Sequence, residues 1–131
     1  MKLALRTILM LGGIAAVLIA LAHIALGPAS IPGSMPVNAT MDSEDRFYAA
    51  IFLGFGIAVL WCARDIERRA RSIRFLVALF FLGGCARVVS LVLVGPPNLL
   101  FQSLTALELL LPPLVWFLLA RIERSGNRQA P

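Results

Sequence analysis

Four apolar runs, each about as long as a bilayer is thick, constrain this chain more than any other feature. They cover roughly residues 5–26, 45–63, 74–94 and 99–120. A helix rises about 1.5 Å per residue and the hydrocarbon core is about 30 Å thick, so about 20 residues cross it once. Lipid offers no hydrogen-bond partners, so a crossing segment must bond its backbone internally. Continuous runs of this length predict helices rather than the alternating strands of a barrel. The expected fold is all-α, a single four-transmembrane-helix bundle covering residues 1–131. Short connections predict antiparallel neighbours. The 60 % apolar content and mean hydropathy of +0.88 fit that reading, since soluble chains hold about 45–50 % apolar residues.

The first run admits a second reading. Lys2 and Arg6 precede or open it, and Ala20-Leu21-Ala22 has the small-x-small form of a signal-peptide cleavage site. The run exceeds the roughly 7–15 apolar residues of a signal core, so it counts as a span. Cleavage would leave three spans.

Orientation follows from the basic residues, which favour the cytoplasmic side. Lys2 and Arg6 lie at the start of the chain. Arg64, Arg68, Arg69, Arg71 and Arg74 fill the inner loop 64–74, and Arg121, Arg124 and Arg128 lie in the tail. These are ten of the 12 Lys and Arg residues. Both termini are therefore expected in the cytoplasm. The net charge of +5 sits between apolar runs rather than along one face, which argues against nucleic-acid binding. The arginine-rich loop fits topology and contact with anionic lipid.

The outer loop 27–44 contains Pro28, Pro32, Gly33 and Pro36, which exclude a continuous regular helix or a central strand. It is expected to lie across the outer mouth of the bundle. Asp42 or Ser43 is expected to cap the second helix, with Glu44 and Asp45 in its first turn, where the dipole favours negative charge.

An ionisable residue inside a span is a candidate functional site, because charge in a bilayer is costly. Arg87 and Glu108 each lie about 12–14 Å inside the outer ends of their spans. Equal depth on consecutive helices predicts that they pair. Small residues mark close helix contacts in membranes. Ala50, Gly54 and Ala58 form one stripe that Arg46 extends. Gly12, Ala16 and Ala20 form another that His23 continues. Gly83 precedes Arg87 by one turn, and Ser90 follows it. Gln102, Thr105 and Glu108 share one side of the fourth span. Pro112 and Pro113 lack the N–H groups that would bond the carbonyls of Glu108 and Leu109, so a kink and two unpaired carbonyls are expected beside the acid.

These residues predict a polar pocket in the outer half of the bundle, formed by Arg46, Arg87, Glu108, His23, Asp45, Ser90, Gln102 and Thr105. It would hold the head of a lipid-like or quinone-like amphiphile. The structural alternatives stay open. Arg87 and Glu108 can serve only to fix helix register, His23 can meet interfacial water, and Asp45 and Arg46 can be interfacial residues. Phe47, Tyr48, Phe52 and Phe55 fit packing or lipid contact better than a ligand cage, while Trp61 and Trp116 fit interface anchors. A second functional reading is a non-catalytic accessory subunit of a larger membrane complex, or a homo-oligomer. A third is a lipid-modifying enzyme, with Glu108 or Asp45 and His23 moving protons. A proton-coupled transporter comes after these.

No catalytic residue and no cofactor are assigned. The sequence has no phosphate-binding glycine loop, nucleophile elbow or haem-attachment motif. A lone histidine, with Cys62 and Cys85 in apolar runs, supplies no metal-ligand set.

Several of these segments also carry a resemblance. They are Asp42-Ser43-Glu44-Asp45-Arg46-Phe47-Tyr48 followed by a run with Gly54 and Gly56, and His23 with Gly27-Pro28. Ala86-Arg87-Val88-Val89-Ser90 before Gly95-Pro96-Pro97, and Glu108 before Pro112, complete the set. Over roughly residues 10–120 the chain resembles a bacterial membrane family known only as domain of unknown function 4345. The architecture is similar to the DoxX-like four-helix membrane proteins, some of which are linked to quinone-dependent redox complexes. The resemblance implies a multi-pass protein of the bacterial cytoplasmic (inner) membrane and implies no activity.

Overall fold

A computed structural model describes residues 1–127, and among them the secondary structure is entirely helical. The elements are α1 (Lys2–Leu26), a 3₁₀ turn (Gly27–Ser30), α2 (Ala39–Ala63), α3 (Ala70–Leu93) and α4 (Leu99–Asn127). All four helices are long and apolar enough to cross a membrane. Each predicted run falls within one of them, apart from Val94 at the end of α3. Arg128 lies outside the described residues.

The boundaries correct the sequence reading at α2. Asn38, not Asp42 or Ser43, is the cap: its backbone is extended (φ −77°, ψ 169°) and its Oδ1 accepts from Met41 N at 2.9 Å. The helix therefore begins six residues before the apolar run, and Asp42 sits in its first turn, where the dipole stabilises it. The hydrophobic pattern marks where lipid begins, whereas the cap marks where the helix begins. The outer loop is correspondingly shorter than 27–44. Its first part is a 3₁₀ turn held by Ser30 Oγ donating to Gly27 O (2.8 Å) and Ser34 Oγ donating to Pro28 O (2.7 Å). Gly27, at φ 60°, ends α1 in the left-handed region that glycine tolerates best. In α4, the helix runs unbroken through Pro112 and Pro113.

The chain divides into two compact units, residues 6–64 and residues 1–5 with the chain from 65 onward. In the unit of residues 6–64, α1 and α2 pack through glycine. A methyl group on Gly56 would stand 2.9 Å from Val17 Cγ2 and 3.0 Å from Val17 N. One on Gly13 would stand 2.7 Å from Leu60 Cγ. Leu9, Ala16, Ala20, Ala49, Val59, Cys62 and Ala63 are buried. In the other unit α3 packs on α4, and a methyl on Gly84 would stand 2.9 Å from Leu109 Cδ2 and 3.0 Å from Glu108 Cβ. Leu5, Ile73, Val115, Leu119 and Ile122 are its most enclosed apolar side chains.

These contacts correct the predicted stripes. Ala16 and Ala20 are buried as the stripe required. Gly12, Gly54 and Gly83, however, face open space, and Ala50 is exposed. The close contacts belong instead to Gly13, Gly56 and Gly84. Successive helical residues point about 100° apart, so the glycine next in sequence serves a different face.

Candidate functional site

The sequence-predicted site residues fall into two groups, one in each unit. In the unit of residues 6–64, the last turn of α1 meets the first turns of α2. His23 Nδ1 lies 3.0 Å from Asp45 Oδ1 and 3.1 Å from Oδ2, and both side chains are mostly withdrawn from solvent. A carboxylate can only accept, so Nδ1 carries the hydrogen; Nε2 accepts in the neutral ring and donates in the imidazolium. His23 thus has a protein partner rather than interfacial water alone. Arg46 donates from Nε to Asp42 Oδ2 (2.8 Å) and from Nη2 to Asp42 Oδ1 (3.2 Å). Its Nη1 donates to Ile24 O and, at 3.4 Å, to Ala25 O. All three nitrogens of Arg46 are engaged. The guanidinium caps the last carbonyls of α1, which have no intrahelical partner, and complements the negative end of that helix. Gly27 is pressed against this pair: a methyl there would stand 2.5 Å from Asp42 Oδ1.

In the other unit, Arg87 of α3 donates from Nε to Glu108 Oε2 of α4 at 2.7 Å. The predicted pair is present. It is asymmetric, because the Arg87 side chain is 39 % exposed and that of Glu108 is 11 % exposed. The Phe101 ring centroid lies 5.5 Å from Arg87 Cζ, close enough for a cation–π contact. Among the described residues, Nη1 and Nη2 of Arg87 donate to no protein acceptor.

The remaining predicted residues are occupied locally or lie at the surface. Gln102 Nε2 donates to Pro97 O (2.8 Å) and so fastens the α3–α4 turn. Thr105 Oγ1 donates to Phe101 O one turn back (2.8 Å). Ser90 is exposed on α3, and its carbonyl accepts from Val94 N as that helix ends. Neither Gln102 nor Thr105 is hydrogen-bonded to Arg87 or Glu108.

Asp42 was not among the predicted site residues, although its spacing of four from Arg46 on a helix is the pattern of an ion pair. The unit of residues 1–5 and 65 onward holds two further ion pairs outside the predicted site. Arg74 donates to Glu123 and lies 5.7 Å above the Trp116 ring, while Lys2 Nζ lies 2.5 Å from Glu67 Oε1. Among the described residues, no three His, Cys, Asp or Glu side chains converge as a metal site would require. Chemically, the two groups offer an imidazole oriented by a carboxylate and a cationic fork with donors to spare.

No curated protein and no solved structure matches the chain. A family model does match it over residues 4–119, which takes in both groups of polar residues and all four apolar runs. The chain belongs to the family described as "Domain of unknown function (DUF4345)".

Proposed function

We propose that this small membrane protein binds the polar head of a lipid-like or quinone-like amphiphile at Arg87 and Glu108. One observation carries the reading. Arg87 uses one of five N–H donors on Glu108, and the other four have no protein acceptor among the described residues. Unmatched donors in an apolar medium are costly. A carboxylate, phosphate or carbonyl head would supply acceptors in the planar geometry that a guanidinium fork recognises. Glu108 limits the net charge, and the exposed apolar chains of Val92, Leu93 and Leu99 nearby in sequence suit a hydrophobic tail.

The topology in this proposal is antiparallel, with both termini in the cytoplasm. Its support is that Arg74, early in α3, bonds Glu123, late in α4, whereas Arg87, late in α3, bonds Glu108, in the first half of α4. The distribution of Lys and Arg supports the orientation. Arg46 and His23 belong to the other unit and have no part in this proposal, since their protein partners already use most of their donors.

The test is mass spectrometry of lipids that copurify with the full chain in mild detergent. An amphiphile enriched over a control membrane protein, lost in Arg87→Ala and weakened in Arg87→Lys, supports the proposal. Identical lipid profiles for wild type and both variants would sink it.

A second reading, an accessory subunit or homo-oligomer, is favoured by Gly12, Gly54 and Gly83. Each leaves open space on a candidate span, and small residues admit a neighbouring helix closely. Native mass spectrometry of gently solubilised membranes separates the two readings. A monomer without protein partners excludes the second.

A further inference from the structure

The other ends of α3 and α4 carry a second cationic feature, independent of Arg87. A cleft of about 440 Å³ opens there, lined by Glu67, Arg68, Ala70, Arg71, Arg74 and Glu123. By formal charge it holds three arginines against two carboxylates. The carboxylates, however, are already engaged: Glu67 by Lys2, and Glu123 by Arg74. Arg74 is further fixed over the Trp116 ring. The excess positive charge therefore rests on Arg68 and Arg71, which are exposed and have no side-chain partner among the described residues. Their backbone positions are defined. Arg68 N donates to Asp65 Oδ1 (3.2 Å) in the turn that precedes α3, and Arg71 stands in the first turn of α3.

Location selects the ligand. The apolar run of α3 begins at about residue 74, next to the cleft's lining residues Ala70, Arg71 and Arg74, so the cleft lies within about one helical turn of where hydrocarbon is expected to begin. Lipid phosphates occupy that level of a bilayer. Two guanidinium groups present a fork geometry that matches phosphate oxygens, and basic pockets between helix ends suit anionic headgroups. Exposed Phe75, the residue after Arg74 on α3, offers apolar surface to an acyl chain. We propose that this cleft binds the phosphate of an anionic phospholipid, with Arg68 and Arg71 as its ligands and Arg74 positioned beside them by Glu123 and Trp116.

The experiment uses the full chain in a nonionic detergent, titrated with short-chain phosphatidylglycerol and, separately, phosphatidylcholine, with bound lipid counted by native mass spectrometry. Wild type is expected to prefer phosphatidylglycerol. R68Q/R71Q is expected to weaken that binding by about thirtyfold, from a several-fold contribution per arginine near the surface. R64Q/R124Q removes the same formal charge from arginines outside the cleft and is expected to leave the preference in place. R68K/R71K keeps the charge without the fork and should fall between wild type and R68Q/R71Q. Equal losses in the two Gln variants would mean diffuse attraction and overturn the proposal. So would displacement of the lipid by an equal concentration of inorganic phosphate, which would make the free anion the ligand. If R68Q/R71Q loses helicity by circular dichroism, R68K/R71K and the phosphate competition decide: wild-type binding by R68K/R71K overturns the site.

Discussion

Two glycines in one helix, two residues apart, should respond oppositely to the same substitution. Replacing glycine by alanine in a helix interior gains about 0.5–1 kcal/mol from backbone entropy. At Gly54 nothing lies within 4 Å of the added methyl, so G54A should keep that gain. At Gly56 the methyl would meet Val17 Cγ2 at 2.9 Å, Val17 N at 3.0 Å and Ala16 Cβ at 3.1 Å. Two of those three neighbours move only if α1 itself moves. Overpacking of this kind costs about 1–3 kcal/mol, which outweighs the entropy gain. The two variants should therefore differ by about 1–3 kcal/mol, because the entropy gain is common to both and the overpacking at Gly56 is what separates them. Thermal unfolding followed by circular dichroism in one detergent measures the difference, and labelling of buried Cys62 gives a second readout from the same helix. The reasoning fails if G56A unfolds no earlier than wild type, or if G54A proves the more damaging change.

Two further outcomes follow from the polar groups. G27A forces a side chain to φ 60° and against Asp42 Oδ1; the backbone alone costs about 1–2 kcal/mol, read as a lower unfolding midpoint. E108A leaves Arg87 without its carboxylate and should cost about 1–3 kcal/mol, below the range for a fully buried pair because Arg87 is 39 % exposed. R87A/E108A should be less unstable than E108A alone, and strict additivity of the two single variants in the same unfolding assay would refute the coupling.

The helices were legible because lipid imposes a minimum length on apolar runs, and Leu, Ile, Val and Ala meet it four times. The Arg87–Glu108 pair was legible for a related reason: charge at matched depth has few places to go. The start of α2 was not legible from hydropathy, because Asn38 caps a polar first turn that the apolar signal does not include. Packing faces were the weakest part of the reading. Gly12-Gly13 and Gly83-Gly84 are adjacent pairs, and Gly54 and Gly56 lie two positions apart, so composition alone cannot say which member meets the neighbour. Polar residues at helical spacing were used to choose, and they selected Gly12, Gly54 and Gly83. The structure buries Gly13, Gly56 and Gly84 instead. Arg46 was legible as a polar residue continuing a helix face but not as a cap, because its carbonyl partners on Ile24 and Ala25 belong to backbone that any sequence would provide.

The asymmetry of the Arg87–Glu108 pair separates two explanations of why charge sits in this span. A pair that only fixes register needs mutual satisfaction, and two leucines at the same positions would pack at no electrostatic cost. Here the carboxylate is buried and receives one bond, while the guanidinium stays accessible with four N–H groups that meet no protein acceptor among the described residues. Arg46 shows the alternative in the same molecule: Asp42 and two carbonyls engage all three of its nitrogens. Register fixing accounts for one N–H of Arg87 and leaves the cost of the others unexplained. The amphiphile head proposed above would account for them, because it would bring acceptors to donors that the fold holds in place and leaves open.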